Sequence, residues 1–155
     1  MEKIIISDTA CLIILNKIGS LNLLEKLFKT IIITEEVSKE FNDFLPIWIE
    51  VEQVKNRKQI EVLKLLLDSG ESSSIALCLE KKNCLLIIDE RKGRKVAQDL
   101  DIPIIGTLGI LLEAKNLGLV YSLRPLLEEV LKTNFRISKQ LLNVVLEQAN
   151  ELPIL

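Results

Sequence analysis

The sequence predicts an α/β domain built on a central parallel sheet of four to five strands. Three observations lead there. The runs Ile4-Ile5-Ile6, Ile31-Ile32-Ile33 and Leu85-Leu86-Ile87-Ile88 are short and rich in β-branched residues, as strands buried on both faces require. Segments of helical periodicity separate them, and strands that alternate with helices build a parallel sheet. Each run also stops at acid: Asp8 after the first, Glu35-Glu36 after Thr34, and Asp89-Glu90 after the third.

In chain order, the first strand is predicted over residues 3–7 and a helix over 9–18, with Gly19 placed to end it. Ser20 offers a cap for a helix over 21–28, whose apolar stripe is Leu23, Leu24, Leu27 and Phe28. A second strand follows over 30–33. Thr34 then caps a helix that reaches residue 44, with Val37, Phe41 and Phe44 at i, i+4, i+7 facing the core, and Pro46 beyond it. Residues 47–54 alternate, Ile47, Ile49 and Val51 against Trp48, Glu50 and Glu52, which reads as an extended excursion (about 46–57) or an edge strand. Helical periodicity resumes over 58–67. Asp68-Ser69-Gly70-Glu71 breaks the chain and opens a helix running to 82. A strand over 85–88, a helix over 91–100, a strand over 103–105 and a helix over 108–116 come next. A helical extension over 122–149, with helices at 122–132 and 138–149, closes the chain.

The chain has 155 residues, of which 48% are hydrophobic, and a mean hydropathy of +0.30. That length fits one domain, taken as 1–150, with one substantial core. No apolar run approaches the roughly 18 residues of a spanning helix, and residues 1–3 carry no cleavable-signal pattern. A cytoplasmic protein with no membrane contact is expected. The apolar excess belongs to buried strands, core helices and an apolar helical surface around 108–112 and 123–131, suited to a homodimer or a bound partner.

There is no histidine. Histidine triads, His/Cys zinc sites and histidine general bases are excluded together. The three cysteines, Cys11, Cys78 and Cys84, sit in apolar contexts without a C-x-x-C spacing, as reduced buried thiols do. Any catalysis must use carboxylates, hydroxyls, lysine or a metal held by oxygen. The net charge of −2 does not point to nucleic acid, but Arg91, Lys92, Arg94 and Lys95 follow directly on Asp89 and Glu90. Such a cluster is either a solvated helix face or a seat for a phosphate backbone.

Each acid has a structural alternative. Asp8 is a helix N-cap or a functional carboxylate at a strand's carboxyl end, where ligands of open α/β sheets bind. Glu35 and Glu36 fit a helix first turn by the macrodipole alone. Glu36 and Glu40 are four apart, share a face and compete for one role. Asp68-x-x-Glu71 has the form of a capping box. Asp89 ends a buried strand, whereas Glu90 suits an exposed turn. Thr9 and Thr107 are hydroxyls at strand ends, with helix capping as the alternative. Carboxylates converging on one pocket repel: two charges about 4 Å apart cost about 4 kcal/mol at an effective dielectric near 20. A divalent cation relieves this, and all-oxygen ligands select Mg²⁺ or Mn²⁺, which suit phosphoryl transfer.

Ser7-Asp8-Thr9 with Leu12-Ile13, Glu36 to Glu40 after the second strand, Gly70-Glu71 opening a helix, and Asp89-Glu90-Arg91 after the third strand together resemble the PIN-domain ribonucleases. Asp89-Glu90-Arg91-Lys92-Gly93-Arg94 and Ile105-Gly106-Thr107-Leu108-Gly109 resemble signature segments of its DUF3368-type branch. The resemblance covers nearly the whole chain. It implies a three-layer α/β/α sandwich, an acidic site for one or two Mg²⁺ or Mn²⁺ ions, and cleavage of single-stranded RNA, often as the toxin of a toxin–antitoxin pair with an antitoxin protein as partner. By position it makes Asp8, Glu40, Glu71 and Asp89 the four acids, with Thr9 assisting near the metal. Glu71 stands where many members carry Asp, which changes its reach. Two other readings stay open: a non-catalytic nucleic-acid-binding or partner module, and a receiver-like or phosphatase domain. The phosphatase version lacks the second Asp it needs, since position 10 is alanine.

Overall fold

The computed structural model describes residues 3–154. Its centre is one sheet of five parallel strands in the order β3-β2-β1-β4-β5, with β1 at Ile4–Ser7, β2 at Ile31–Thr34, β3 at Ile49–Glu52, β4 at Cys84–Ile87 and β5 at Ile104–Ile105. The first three strands step outward from β1 in one direction, and β4 returns to its other side. The direction reverses between β1 and β4, so the crevice at their carboxyl ends is the switch point at which open α/β sheets bind ligands. In register, Ser7 pairs with Ile87, and the Asp8 N–H donates to the Ile87 carbonyl at 2.9 Å. Asp8 and Asp89 therefore leave the sheet on either side of that crevice.

Among the described residues nine helices cover both faces: α1 Thr9–Lys17, α2 Leu23–Phe28, α3 Glu35–Phe41, α4 Arg57–Leu63, α5 Ser69–Glu80, α6 Arg91–Asp99, α7 Thr107–Asn116, α8 Arg124–Leu131 and α9 Lys139–Gln148. Side chains alternate across a strand. Ile5, Ile31, Ile33 and Ile87 pack with α1, α2, α3, α7, α8 and α9, while Ile6, Leu86 and Ile88 pack with α4, α5 and α6. This is the three-layer α/β/α sandwich. The apolar side chains of the 108–131 region that suggested an interface mostly fill the first of these cores: Ile110, Leu111, Leu123 and Leu127 are fully buried within the chain.

Of the two readings of residues 47–54, the edge strand holds over Ile49–Glu52: β3 lies at the sheet's edge, parallel to β2. Other local expectations are corrected. Ser20 caps no helix with its side chain. Its carbonyl accepts from the Leu23 N–H, and α2 begins two residues late. Helix α3 stops at Phe41 because Asn42 takes a left-handed conformation, φ 49°. The helical register is lost there, so Phe44 lies in solvent instead of facing the core. Helix α4 likewise ends at Leu63, four residues early, and leaves Leu65 and Leu66 exposed. Gly19 does close α1 as expected, with φ +71°, and Thr34 does cap α3 by accepting from the Val37 N–H.

Candidate functional site

The site sits where β1, β4 and β5 end and where α1, α5, α6 and α7 begin. Asp8 occupies the N-cap position of α1, yet its carboxylate makes no side-chain capping bond to that helix. It is 5% exposed. Burial, against the Thr9 backbone N–H but with Glu71, Asp68 and Glu40 adding to it, pushes its pKa up to about 8. Ser7, also buried, donates its hydroxyl to the Asp8 carbonyl at 2.8 Å and fixes the turn.

Glu71 caps its helix and stands beside Asp8. It closes the capping box of α5, accepting from the Asp68 N–H at 3.3 Å while its own N–H donates to Asp68 Oδ1 at 2.8 Å. Burial first, then Asp68, holds its carboxyl up at about 7. Gly93 lets α6 close on this corner: a Cβ there would fall 2.6 Å from Ile88 Cδ1 and 3.6 Å from the Glu71 carboxyl carbon.

Glu36 and Glu40 part company in space. Glu40 accepts from the Thr9 hydroxyl at 3.0 Å and lies on the start of α5, where a Cβ at Gly70 would fall 2.6 Å from its Oε1. Glu36 turns the other way and pairs with Arg57 at 3.0 Å. Asp68, read from the sequence only as a cap, joins the negative field at Asp8. Nothing in its own sequence context marks it, because a capping Asp and a site Asp look alike.

Asp89 has a different environment. Its Oδ1 accepts from the Thr107 N–H at 2.8 Å and its Oδ2 from the Thr107 hydroxyl at 2.6 Å. Burial raises its pKa, and Thr107 and Arg94 act against that rise. Thr107 is fully buried, so its hydroxyl serves Asp89. Glu90 is the N-cap of α6, accepting from the Gly93 N–H at 2.9 Å. The basic run divides. Arg91 and Lys92 are exposed, Lys95 pairs with Asp99 on the surface, and Arg94 folds inward to donate to the Ile88 carbonyl at 2.8 Å.

The structure thus gathers Asp8, Glu40, Glu71 and Asp68 into one electrostatic neighbourhood and sets Asp89 beside it. Among the described residues, none of the four gathered carboxylates forms an ion pair. Among the same residues, no three His, Cys, Asp or Glu stand close enough to form a ready-made metal cluster. Mg²⁺, however, binds through one or two carboxylates and keeps several waters. Asp8, buried and making no side-chain capping bond, has the Thr9 N–H and the acids Glu71, Asp68 and Glu40 for company, and carboxylate oxygens of this kind are the donors a hard divalent cation takes, Asp8 and Glu71 being the two that could hold one.

The chain matches the family model described as DUF3368, a PIN domain, over residues 4–151. No curated protein and no solved structure matched it. With a match over nearly its whole length, a parallel sheet of the right architecture and acids at the switch point, this chain belongs to the PIN-domain family, whose fold is that of nucleases.

Proposed function

We propose that the protein is a metal-dependent endoribonuclease that cleaves single-stranded RNA with Mg²⁺ or Mn²⁺. The observation that carries the reading is the buried, uncapped Asp8 among carboxylates at the switch point. Asp8 and Glu71 would hold the ion. Glu40, steadied by the Thr9 hydroxyl, shapes the same corner from α3. When bound, Mg²⁺ or Mn²⁺ polarises a phosphoryl oxygen and acidifies a water that can attack phosphorus. Asp89 is fixed by Thr107 at the opposite lip. Arg91 and Lys92 lie exposed at the start of α6, next to that lip, where they can meet the phosphates flanking the scissile bond, with Lys95 further along the helix. A toxin of a toxin–antitoxin pair, partnered by an antitoxin protein, is the biological setting this activity fits.

A fluorescent single-stranded RNA with Mn²⁺, Mg²⁺ or EDTA, run beside Asp8→Asn, tests the proposal. Metal-dependent cleavage is expected, with at least a 100-fold loss in the variant, the order of effect seen when a group acting on the transition state is removed. Cleavage that survives Asp8→Asn in nuclease-free preparations overturns the assignment. The second reading is a non-catalytic nucleic-acid-binding module, favoured by the engagement of both Asp89 oxygens. It predicts salt-dependent RNA retention without turnover.

A further inference from the structure

The stretch between Glu129 and Glu147 holds Lys132, Arg136 and Lys139 and no acid, in a chain whose net charge is −2. It contains the turn that joins α8 to α9, and that turn lies against α1. Between them is a groove of about 380 Å³, with Ala10, Ile13 and Lys17 along one wall and Thr133, Asn134 and Phe135 along the other. Clefts of this size hold small ligands, and among the described residues no acid lines this one. The turn keeps its shape through Thr133, whose hydroxyl donates to the Val130 carbonyl at 2.6 Å and accepts from the Phe135 N–H at 3.1 Å. A second recess, of about 550 Å³, opens beside the same turn, with Phe135 and Arg136 in its wall. Phe135 is half-buried, whereas Lys17, Asn134 and Arg136 are exposed. Lys132 pairs with Glu129 at 3.0 Å. Lys17, Arg136 and Lys139 form no ion pair among the described residues.

The groove begins where the acidic corner ends. Ala10 follows directly on Asp8 and Thr9, and from Ala10 to Lys17 the helix runs about 10 Å. Arg91 and Lys92 start α6, which packs on the face of the sheet that carries Ile6, Leu86 and Ile88; α1 and Phe135 pack on the face that carries Ile5 and Ile87. The two basic segments therefore flank the carboxylates from opposite faces. A strand laid across the switch point from one to the other meets cations, then acids, then cations. Single-stranded RNA is held by such parts, cations along its backbone and an aromatic side chain under an unstacked base.

We propose that this groove carries one flank of a single-stranded RNA substrate, with a base on Phe135, its edge on Asn134 and phosphates on Lys17 and Arg136, while the start of α6 carries the other flank. The inference rests on the ribonuclease reading above and gives its substrate a path.

The test is binding of a short fluorescent single-stranded RNA to the full chain, in EDTA and with Ca²⁺ in place of Mn²⁺, read by anisotropy across a salt series. It needs no turnover. Lys17→Gln and Arg136→Gln alter exposed side chains. Each is expected to weaken binding and to reduce the slope of log affinity against log salt by about 0.7, the value of one single-strand phosphate contact. Phe135→Leu keeps an apolar side chain and removes the ring; a loss of roughly 5- to 150-fold is expected, the range of one stacked base. An RNA carrying 4-thiouridine should crosslink within residues 133–136. Wild-type affinity in the Lys17→Gln, Arg136→Gln double variant, or crosslinks confined to α6, overturns the inference and leaves the ribonuclease reading standing. A dimer in sedimentation that Phe135→Leu dissociates also overturns it, because the groove is then filled by a second copy of this chain. Wild type that binds no RNA in either condition overturns the ribonuclease reading, and the inference with it.

Discussion

Asp8 and Glu151 are both carboxylates next to the start of a helix, and folding drives them in opposite directions. Glu151 sits at the N-terminus of α8. It accepts from Lys115 Nζ at 2.9 Å, the Ser122 hydroxyl at 2.8 Å, and the N–H groups of Leu123 and Arg124 at 2.6 and 3.1 Å. Burial pushes its pKa up, but these donors outweigh burial and hold it at about 2. Burial pushes Asp8 up to about 8, with three acids adding to it and only the Thr9 N–H against it. The difference lies in the company each keeps. A carboxylate that fastens the chain is surrounded by donors; one left short of donors and cations, at a sheet's switch point, is set for a positively charged ligand.

The largest effect expected from this contrast is on metal-free stability against pH. The folded-state pKa of Asp8 lies above the ordinary aspartate value of 3.8. Folded protein therefore holds a proton that unfolded protein has released, and stability falls as pH rises from about 4 to about 8. Glu71, held up at about 7, adds with the same sign. A tenfold difference in proton affinity between the folded and unfolded chain is worth about 1.4 kcal/mol, so several kcal/mol depend on Asp8. Urea unfolding in EDTA between pH 5 and 9 should show the decline, Asp8→Asn should flatten it, and Mn²⁺ should reverse it most strongly at high pH. A flat wild-type profile would break the comparison.

Glu151→Gln comes next. Charge-assisted hydrogen bonds contribute about 1.5–3 kcal/mol each, less than additively, so a loss of about 2–4 kcal/mol is expected at neutral pH. For a chain of this size that lowers the melting temperature by roughly 5–15 °C. Glu151's folded pKa is depressed, so its contribution is present above about 4.5 and disappears as pH falls towards 2. The variant should lack that acid-side loss and keep the wild-type response to Mn²⁺. A changed Mn²⁺ response would mean that the two regions are coupled.

The sheet was legible because β-branched runs bounded by acid leave little other reading, and Asp8 and Asp89 were legible because they end those runs. What the sequence hid was direction. Glu36 and Glu40 share a helix face, and only the tertiary neighbours separate them: Arg57 pairs with one, and Gly70 makes room for the other. Arg94 stands among four cations in five residues and nothing local marks the one that turns inward; the signal was Gly106, which leaves space for it. Asp68 was hidden by its capping role. Phe44 kept the helical spacing, but Asn42 ended the helix before that spacing could matter.

The smallest effect expected is that of Gly70→Ala, and it sharpens the contrast between Glu40 and Glu36. The new Cβ would meet Glu40 Oε1 at 2.6 Å, and since that atom ends a flexible side chain, Glu40 moves and the helix stays. Ala gains up to about 1 kcal/mol of helix propensity, and losing the Thr9–Glu40 hydrogen bond costs about 1 kcal/mol. Net stability should change by less than about 1 kcal/mol. Mn²⁺ affinity should still fall, by roughly tenfold if about 1.4 kcal/mol of Glu40's interaction with the ion is lost. Glu36→Gln breaks only the pair with Arg57 and should leave affinity unchanged. If Gly70→Ala binds Mn²⁺ as wild type does, Glu40 stands near the acidic corner without serving it, and the ion is held from β1 and α5 alone.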